Sequence, residues 1–327
     1  MKKTEGALER ICLFLENAIN KKRKKSYDKK RAKKTFKSEL LDWISAFVFA
    51  IVVISLLNMW GCAQFIVPTG SMEQTIMIKD RLVVNKGAYG REIYSYGPKS
   101  ASKTPHRGDV ITFYNPEYKN DSPFIESLRD LIYMGTLTLV NLNKYPDGSY
   151  REKMFIKRAV GIPGDTVRFI NGDVFIKPFG EDLYYPEKHI REKSRVPYDV
   201  YRLVDKKDYP FIKAYSKYAL YSQMGLQDQL PVYYMEELSH KASEFDYYEG
   251  EKQYAKSSYA IMPWKTSSIQ EAESYNSGTY VPALHILPLG DNRDNSGDGR
   301  YFGCVSNQKI NGRAMFVLFP FSHMKLL

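Results

Sequence analysis

At 327 residues and 37.9 kDa, with 43% hydrophobic residues, the chain has the length of about two domains and enough apolar material for a core, which excludes disorder of the whole. Its formal charge of +11 is lopsided, because residues 1–42 hold 14 Lys/Arg against 6 Asp/Glu. The other 285 residues hold 34 basic and 31 acidic side chains, so no basic face spreads over the main body and nucleic acid is excluded as the expected partner.

After the basic segment at 1–42 comes Trp43 to Ala63, WISAFVFAIVVISLLNMWGCA, an uncharged run of 21 residues. At about 1.5 Å per residue, such a helix covers the roughly 30 Å hydrocarbon core of a bilayer. Trp43 and Trp60 stand near its ends, and KKRKKSYDKKRAKKTFK at 21–37 precedes it. Retention of positive charge on the cytoplasmic side predicts a single-pass protein of the cytoplasmic membrane, with its N-terminus inside and residues 64–327 outside. A cleaved signal peptide fits poorly with a leader this long and basic, and bulky Met59 and Trp60 before Gly61 argue against a lipid-modified Cys62. Cys12, Cys62 and Cys304 form no CxxC pair and have no histidines at ligand spacing, so neither a disulfide framework nor a zinc site is predicted.

The exported part reads as a predominantly β, antiparallel domain. Alternating segments predict strands at 81–86, 109–114, 153–160, 166–170, 173–177 and 313–319. Asn171-Gly172 between two of them predicts a two-residue hairpin, whose turn positions both need positive φ. Helical periodicity is scarce. Residues 124–142 contain an apolar run too short to span a bilayer, read as a packed element in preference to a membrane-surface contact. Residues 178 to about 285 hold 16 of the 26 tyrosines and read as an insertion that packs within itself, with partner binding as the alternative.

Chemistry has few places to reside. Ser71 lies in VPTGSM, just beyond the apolar run; alone it is a turn residue, and it needs a base. The five histidines stand in no triad context and G-x-S-x-G is absent. Lys157, in the strand-like MFIKRAV, shares a face with Phe155 and Ala159. A lysine is protonated near neutral pH, but an apolar pocket disfavours the charged form, and a neutral amine can deprotonate a serine. The alternative for such a lysine is an edge charge that blocks strand pairing. GDNRDNSGDGRYFG, from 290, places Asp294, Ser296, Asp298 and Gly299 like the first half of a calcium loop, but Val305 stands where the closing Glu belongs. A tight loop held by internal ion pairs is the better reading.

PTGSM at 68, RGDV at 107, KRAVGIPGD at 157 and GDNRDNSGDGRYFG at 290, in this order beyond a membrane anchor, resemble type I signal peptidases, the membrane-bound Ser-Lys endopeptidases that remove signal peptides. The likeness covers roughly 63–177 and 286–320. It implies Ser71 as nucleophile and Lys157 as general base, with the Thr69 hydroxyl and the Ser71 N–H forming the oxyanion hole. It further implies Ser296 orienting the lysine, and Asp298 with Arg300 as a supporting ion pair. Phe65, Val67, Met72 and Ile156 match apolar walls of shallow pockets for small residues before the cut, with substrate extended along the strand edge near 154–157. The expected partners are preproteins bearing signal peptides, and the lipid bilayer; neither metal nor organic cofactor is expected. The oligomeric state is left open. Self-cleaving repressor-like Ser-Lys peptidases lack the membrane span, and the remaining alternative is a non-catalytic, membrane-anchored binding scaffold.

Overall fold

The computed structural model describes residues 36–90, 103–116, 153–193, 197–240 and 242–327, with a few single or paired residues between 99 and 142. All but the last two residues of the basic run at 21–37 and most of the predicted element at 124–142 lie outside the described residues. The chain divides into two compact units, 1–53 and 54–327.

Helix α1, Phe36–Trp60, falls on the predicted span but stops short of it: Gly61 is a bend, and Cys62 and Ala63 belong to strand β1, Cys62–Ile66. Backbone pairing with β2, Arg81–Asn85, takes those residues out of the helix, from Cys62 opposite Asn85 to Ile66 opposite Arg81. Ser38, Glu39 and Asp42 occupy the first turns of α1, and the side chains at 54–60 lie outside the described residues. Among the described residues, no helix is long and apolar enough to cross a membrane.

The six predicted strands are all present. They are β2, β3 (Val110–Tyr114), β4 (Met154–Gly161), β5 (Thr166–Ile170), β6 (Asp173–Lys177) and a strand at Ile310–Phe319. Asn171 and Gly172 have φ of 48° and 74°, the paired positive values that the β5–β6 hairpin requires. Shorter strands escaped the sequence reading. These are β7 (Tyr185–Pro186), β8 (Thr279–Tyr280), β9 (His285–Leu289), β10 (Val305–Ser306) and β12 (Lys325–Leu326); the predicted strand at Ile310–Phe319 is β11. One sheet runs β1-β2-β11-β3-β4-β9-β10, with β12 added on β11; a second runs β7-β6-β5-β8. Every paired neighbour in both sheets is antiparallel.

Alternation places the inward side chains in three apolar clusters. Val67, Met72, Ile76, Leu82 and Val84 pack with Val110, Ala314 and Val317 under β1, β2 and β11. Ile111, Phe113, Ala159, Ile286 and Ile310 fill the space between β3, β4 and β9. Val160, Val167, Val174 and Ile176 join the two sheets, together with Leu287 and Leu289.

The insertion corrects the expectation that helices are scarce. Between β7 and β8 it contains α2 (Glu187–Glu192), α3 (Tyr209–Gln223), α4 (Val232–Ser239), α5 (Tyr247–Ile261) and α6 (Thr266–Ser277). Pro210 lies in the first turn of α3, where its missing N–H costs nothing. Asp246 caps α5, accepting from the Glu249 N–H at 3.0 Å, while the Glu249 side chain accepts from the Asn171 N–H, Lys252 and Gln253. The tyrosines pack largely on their own region: Tyr209 joins Val204 and Ile212, while Tyr248 stacks edge-on against Phe169 of β5 and Tyr275 of α6.

Candidate active site

Ser71 opens a short turned segment after β1. Val67 N–H donates to Asp80 O at 3.0 Å and Lys79 N–H to Val67 O at 2.8 Å, closing the loop at its base. Within it, Glu73 N–H reaches Gly70 O and Ile76 N–H reaches Met72 O. The buried side chains of Met72 and Ile76 anchor the loop in the apolar cluster, which fixes where Ser71 points.

Lys157 is the fourth residue of β4, whose register with β3 runs from Met154 opposite Tyr114 to Arg158 opposite Val110. The ladder with β9 begins only at Arg158, opposite Leu289, so Met154 to Ile156 lie ahead of it. Lys157 Nζ stands 2.6 Å from Ser71 Oγ, and the two residues are 4% and 7% exposed. The same nitrogen lies over the Phe155 ring, 5.4 Å from its centroid, two residues back on the same strand face. Arg158 points to the other face and is fully engaged there: Nε and Nη2 reach the Asp291 carboxylate at 2.8 and 2.5 Å, and Nη1 donates to Gly108 O at 2.7 Å. RGDV thus serves as a brace. Arg107 continues it, donating to Val160 O and pairing with Asp165 at 2.8 Å.

The loop after β9 closes over the serine turn through backbone. Asn292 N–H donates to Ser71 O at 3.1 Å, and its side-chain amide donates to Gly70 O at 3.1 Å. Gly290 sits where a side chain would force its neighbours to move: a Cβ there would stand 2.6 Å from Ser71 O and 2.6 Å from Ser296 Cβ, and nearer still to Ser296 Oγ. Asp298 is buried. Its carboxylate accepts from Gly290 N–H at 3.0 Å and from Arg300 Nε at 2.9 Å, so the predicted Asp298–Arg300 pair forms. Burial alone would raise the Asp298 carboxyl, but Arg300 and these hydrogen bonds outweigh it and hold it below the usual carboxylate range. It also caps the short helix α7, Gly299–Phe302.

Other expected residues are placed differently. Ser296 is buried and its Oγ has no hydrogen-bond partner among the described residues, so the structure brings it against Gly290 but does not join it to Lys157. Thr69 is exposed beside the serine turn. Val67 and Met72 are core side chains, while Phe65 and Ile156 pack against that core with part of their surface open. Among the described residues, no group of three His, Cys, Asp or Glu side chains stands ready to hold a metal. Asp294 of the calcium-like sequence instead accepts from Arg202 and from the Leu203 and Val204 N–H groups. Burial pushes the Cys304 thiol up to about 11.

Sequence reasoning missed Gly290, Arg158, Asp291, Glu187 and Arg293 as parts of this assembly. The signal for the first three was in the motif strings, since a glycine between apolar Leu289 and charged Asp291, and an arginine directly after the lysine, mark close approach and opposite strand faces. Glu187 carries no such signal.

Residues 40–319 match the family described as “Signal peptidase, peptidase S26”. Among curated relatives, “Signal peptidase I” of Helicobacter pylori is 28% identical over 296 residues, covering 85% of this chain and 82% of that protein. The protein of the same name from Buchnera aphidicola subsp. Baizongia pistaciae is 24% identical over 299 residues, covering 88% and 80%. That of Haemophilus influenzae is 25% identical over 283 residues, covering 86% and 70%.

Proposed function

The chain belongs to the signal peptidase family, peptidase S26, and we propose that Ser71 and Lys157 are the dyad with which it works. As a signal peptidase it is a serine endopeptidase that removes signal peptides from preproteins. The observation that carries the dyad is the 2.6 Å contact between two buried side chains drawn from a turn and a strand 86 residues apart. Lys157 in its free-amine form takes the proton from Ser71 Oγ as that oxygen attacks the scissile carbonyl, and then returns it to the leaving amine. The oxyanion is met by the Ser71 N–H, with the exposed Thr69 hydroxyl within the same turn as the second donor. A water then releases the acyl group by the same proton route.

The substrate lies extended beside Met154 to Ile156, ahead of the β9 ladder, with small side chains against the open surfaces of Phe65 and Ile156. A bulky residue clashes there, which is the discrimination an apolar pocket makes best. The uncharged run at 43–63 supports a membrane anchor, since 21 residues as a helix cover about 30 Å at about 1.5 Å per residue. The basic run at 21–37 supports a cytoplasmic N-terminus and an exported catalytic domain.

The test is cleavage of a preprotein whose signal ends in Ala-x-Ala by the detergent-solubilised chain, beside Ser71→Ala and Lys157→Ala, with the cut read by mass spectrometry. Cutting after the second Ala by the parent, and a loss of at least about 10³-fold in each variant, is the expected outcome. The rate rises with pH as Lys157 loses its proton. A rate flat from neutral to strongly alkaline pH removes Lys157 from the base role.

A further inference from the structure

The insertion reaches the loop after β9 through buried side chains that the sequence motifs do not include. Glu187, the first residue of α2, meets Arg293 in a two-armed pair: Nη1 donates to Oε2 at 2.8 Å and Nη2 to Oε1 at 2.7 Å. The residues are 6% and 2% exposed. The third arm, Arg293 Nε, donates to Gly290 O at 2.7 Å. One planar guanidinium therefore ties an insertion carboxylate to the glycine that stands against Ser296 and the Ser71 carbonyl. Burial alone would push the Glu187 carboxyl up, and the Arg293 guanidinium reverses this, so Glu187 stays ionised.

Two further ties run in parallel. Tyr201, in the segment between α2 and α3, accepts from Arg293 N–H at 3.0 Å and donates its own N–H to Asp291 O at 2.8 Å. Tyr198 donates its hydroxyl to Glu187 Oε1 at 2.7 Å while its ring lies 4.2 Å from Arg158 Cζ. Arg158 neighbours Lys157 on β4 and pairs with Asp291, so the connection closes on both sides of the dyad. A buried ion pair adds little net stability, because desolvation cancels most of its attraction, whereas a bidentate pair restricts geometry. Apolar packing alone would hold the insertion in place without fixing Gly290.

We propose that the insertion positions the catalytic loop, with Glu187 acting through Arg293 to hold Gly290 against the Ser71 carbonyl beside the Ser71–Lys157 contact. Glu187 is then a positioning residue, and the inference rests on the Ser71–Lys157 reading. Misplacement of such a loop by about 1 Å costs on the order of 10²-fold in rate.

The experiment uses the full chain in detergent and the Ala-x-Ala preprotein, with kcat and KM measured separately for Glu187→Gln and Tyr198→Phe and referred to the folded fraction from circular dichroism. Glu187→Gln is expected to lower kcat per folded molecule 10- to 100-fold with KM within threefold. Tyr198→Phe keeps the ring on Arg158 and is expected to lower kcat two- to fivefold, with no added effect in the Glu187→Gln background. A kcat for Glu187→Gln within twofold of the parent, whatever its melting temperature, overturns the proposal. Where Glu187→Gln does not fold, Tyr198→Phe decides, and an unchanged kcat overturns it. A parent that cuts no preprotein overturns the dyad reading, and this inference falls with it; a parent that cuts beside an unaltered Glu187→Gln overturns the inference alone.

Discussion

The sheet around β4 and the helical insertion both reach the loop after β9, but they are held together in different ways. The sheet places Lys157 by register: β3 and β9 fix the height of each residue along β4, and aliphatic clusters above and below fix its tilt. The insertion has a small apolar centre of its own at Val204, Tyr209 and Ile212, lays Tyr248 against Phe169 of β5, and is tied to the loop after β9 through the charge pairs Glu187–Arg293 and Arg202–Asp294. Register tolerates change on the outer face, because backbone carries it. A tie made of charge depends on each partner, since removing one leaves the other buried and uncompensated.

Where the two regions touch, the comparison breaks hardest. Gly290→Ala places a methyl group against Ser71 O and Ser296, so that the loop or the serine turn must shift. It is expected to reduce kcat by on the order of 10²-fold while the chain still folds; a variant with parental kcat shows that the loop yields. The sheet is best probed through stability. Ile176→Ala, at a fully buried site between the sheets, should cost about 2–5 kcal/mol in urea unfolding by loss of transfer energy plus the cavity left behind. A loss below 1 kcal/mol means the two sheets close over the gap.

The smallest effect is set by pH. Glu187 and Asp298 are both held below the ordinary carboxylate range, burial working against this and their arginines outweighing it. A carboxyl whose folded value is depressed adds stability that is complete above its unfolded value and is lost as pH falls through the folded one. The melting temperature is therefore expected to drop as pH falls below about 4, and to drop less steeply in Glu187→Gln, where one such carboxyl is gone. Parallel curves for parent and variant remove Glu187 from that account.

Most strands were legible because one face is buried and period-two alternation records that burial directly, as RLVVN, TVRFI and DVFIK show residue by residue, whereas VITFY, buried throughout, was legible from its β-branched and aromatic run. Strand β9 was not, because Pro288 removes a backbone donor from the middle of HILPL. The structure accommodates it opposite Ala159, where the register with β4 shifts. The insertion's helices were hidden by tyrosine, which serves buried and exposed faces alike: in α3, Tyr209 is buried and Tyr215 is nearly half exposed. Asp246 as N-cap was the available signal for α5.

By itself the sequence determined the β framework, the hairpin at Asn171-Gly172, the apolar run at 43–63 and the pairing of a turn serine with a strand lysine as candidate chemistry. These are local patterns, or motif strings in a set order. Only the tertiary structure decided that Ser71 and Lys157 come within 2.6 Å, that Arg158 turns away to Asp291, and that a carboxylate 106 residues before Arg293 reaches the catalytic loop. Those contacts join residues with no shared period or spacing. Chain crossings bring them together, and a one-dimensional pattern carries no record of a crossing.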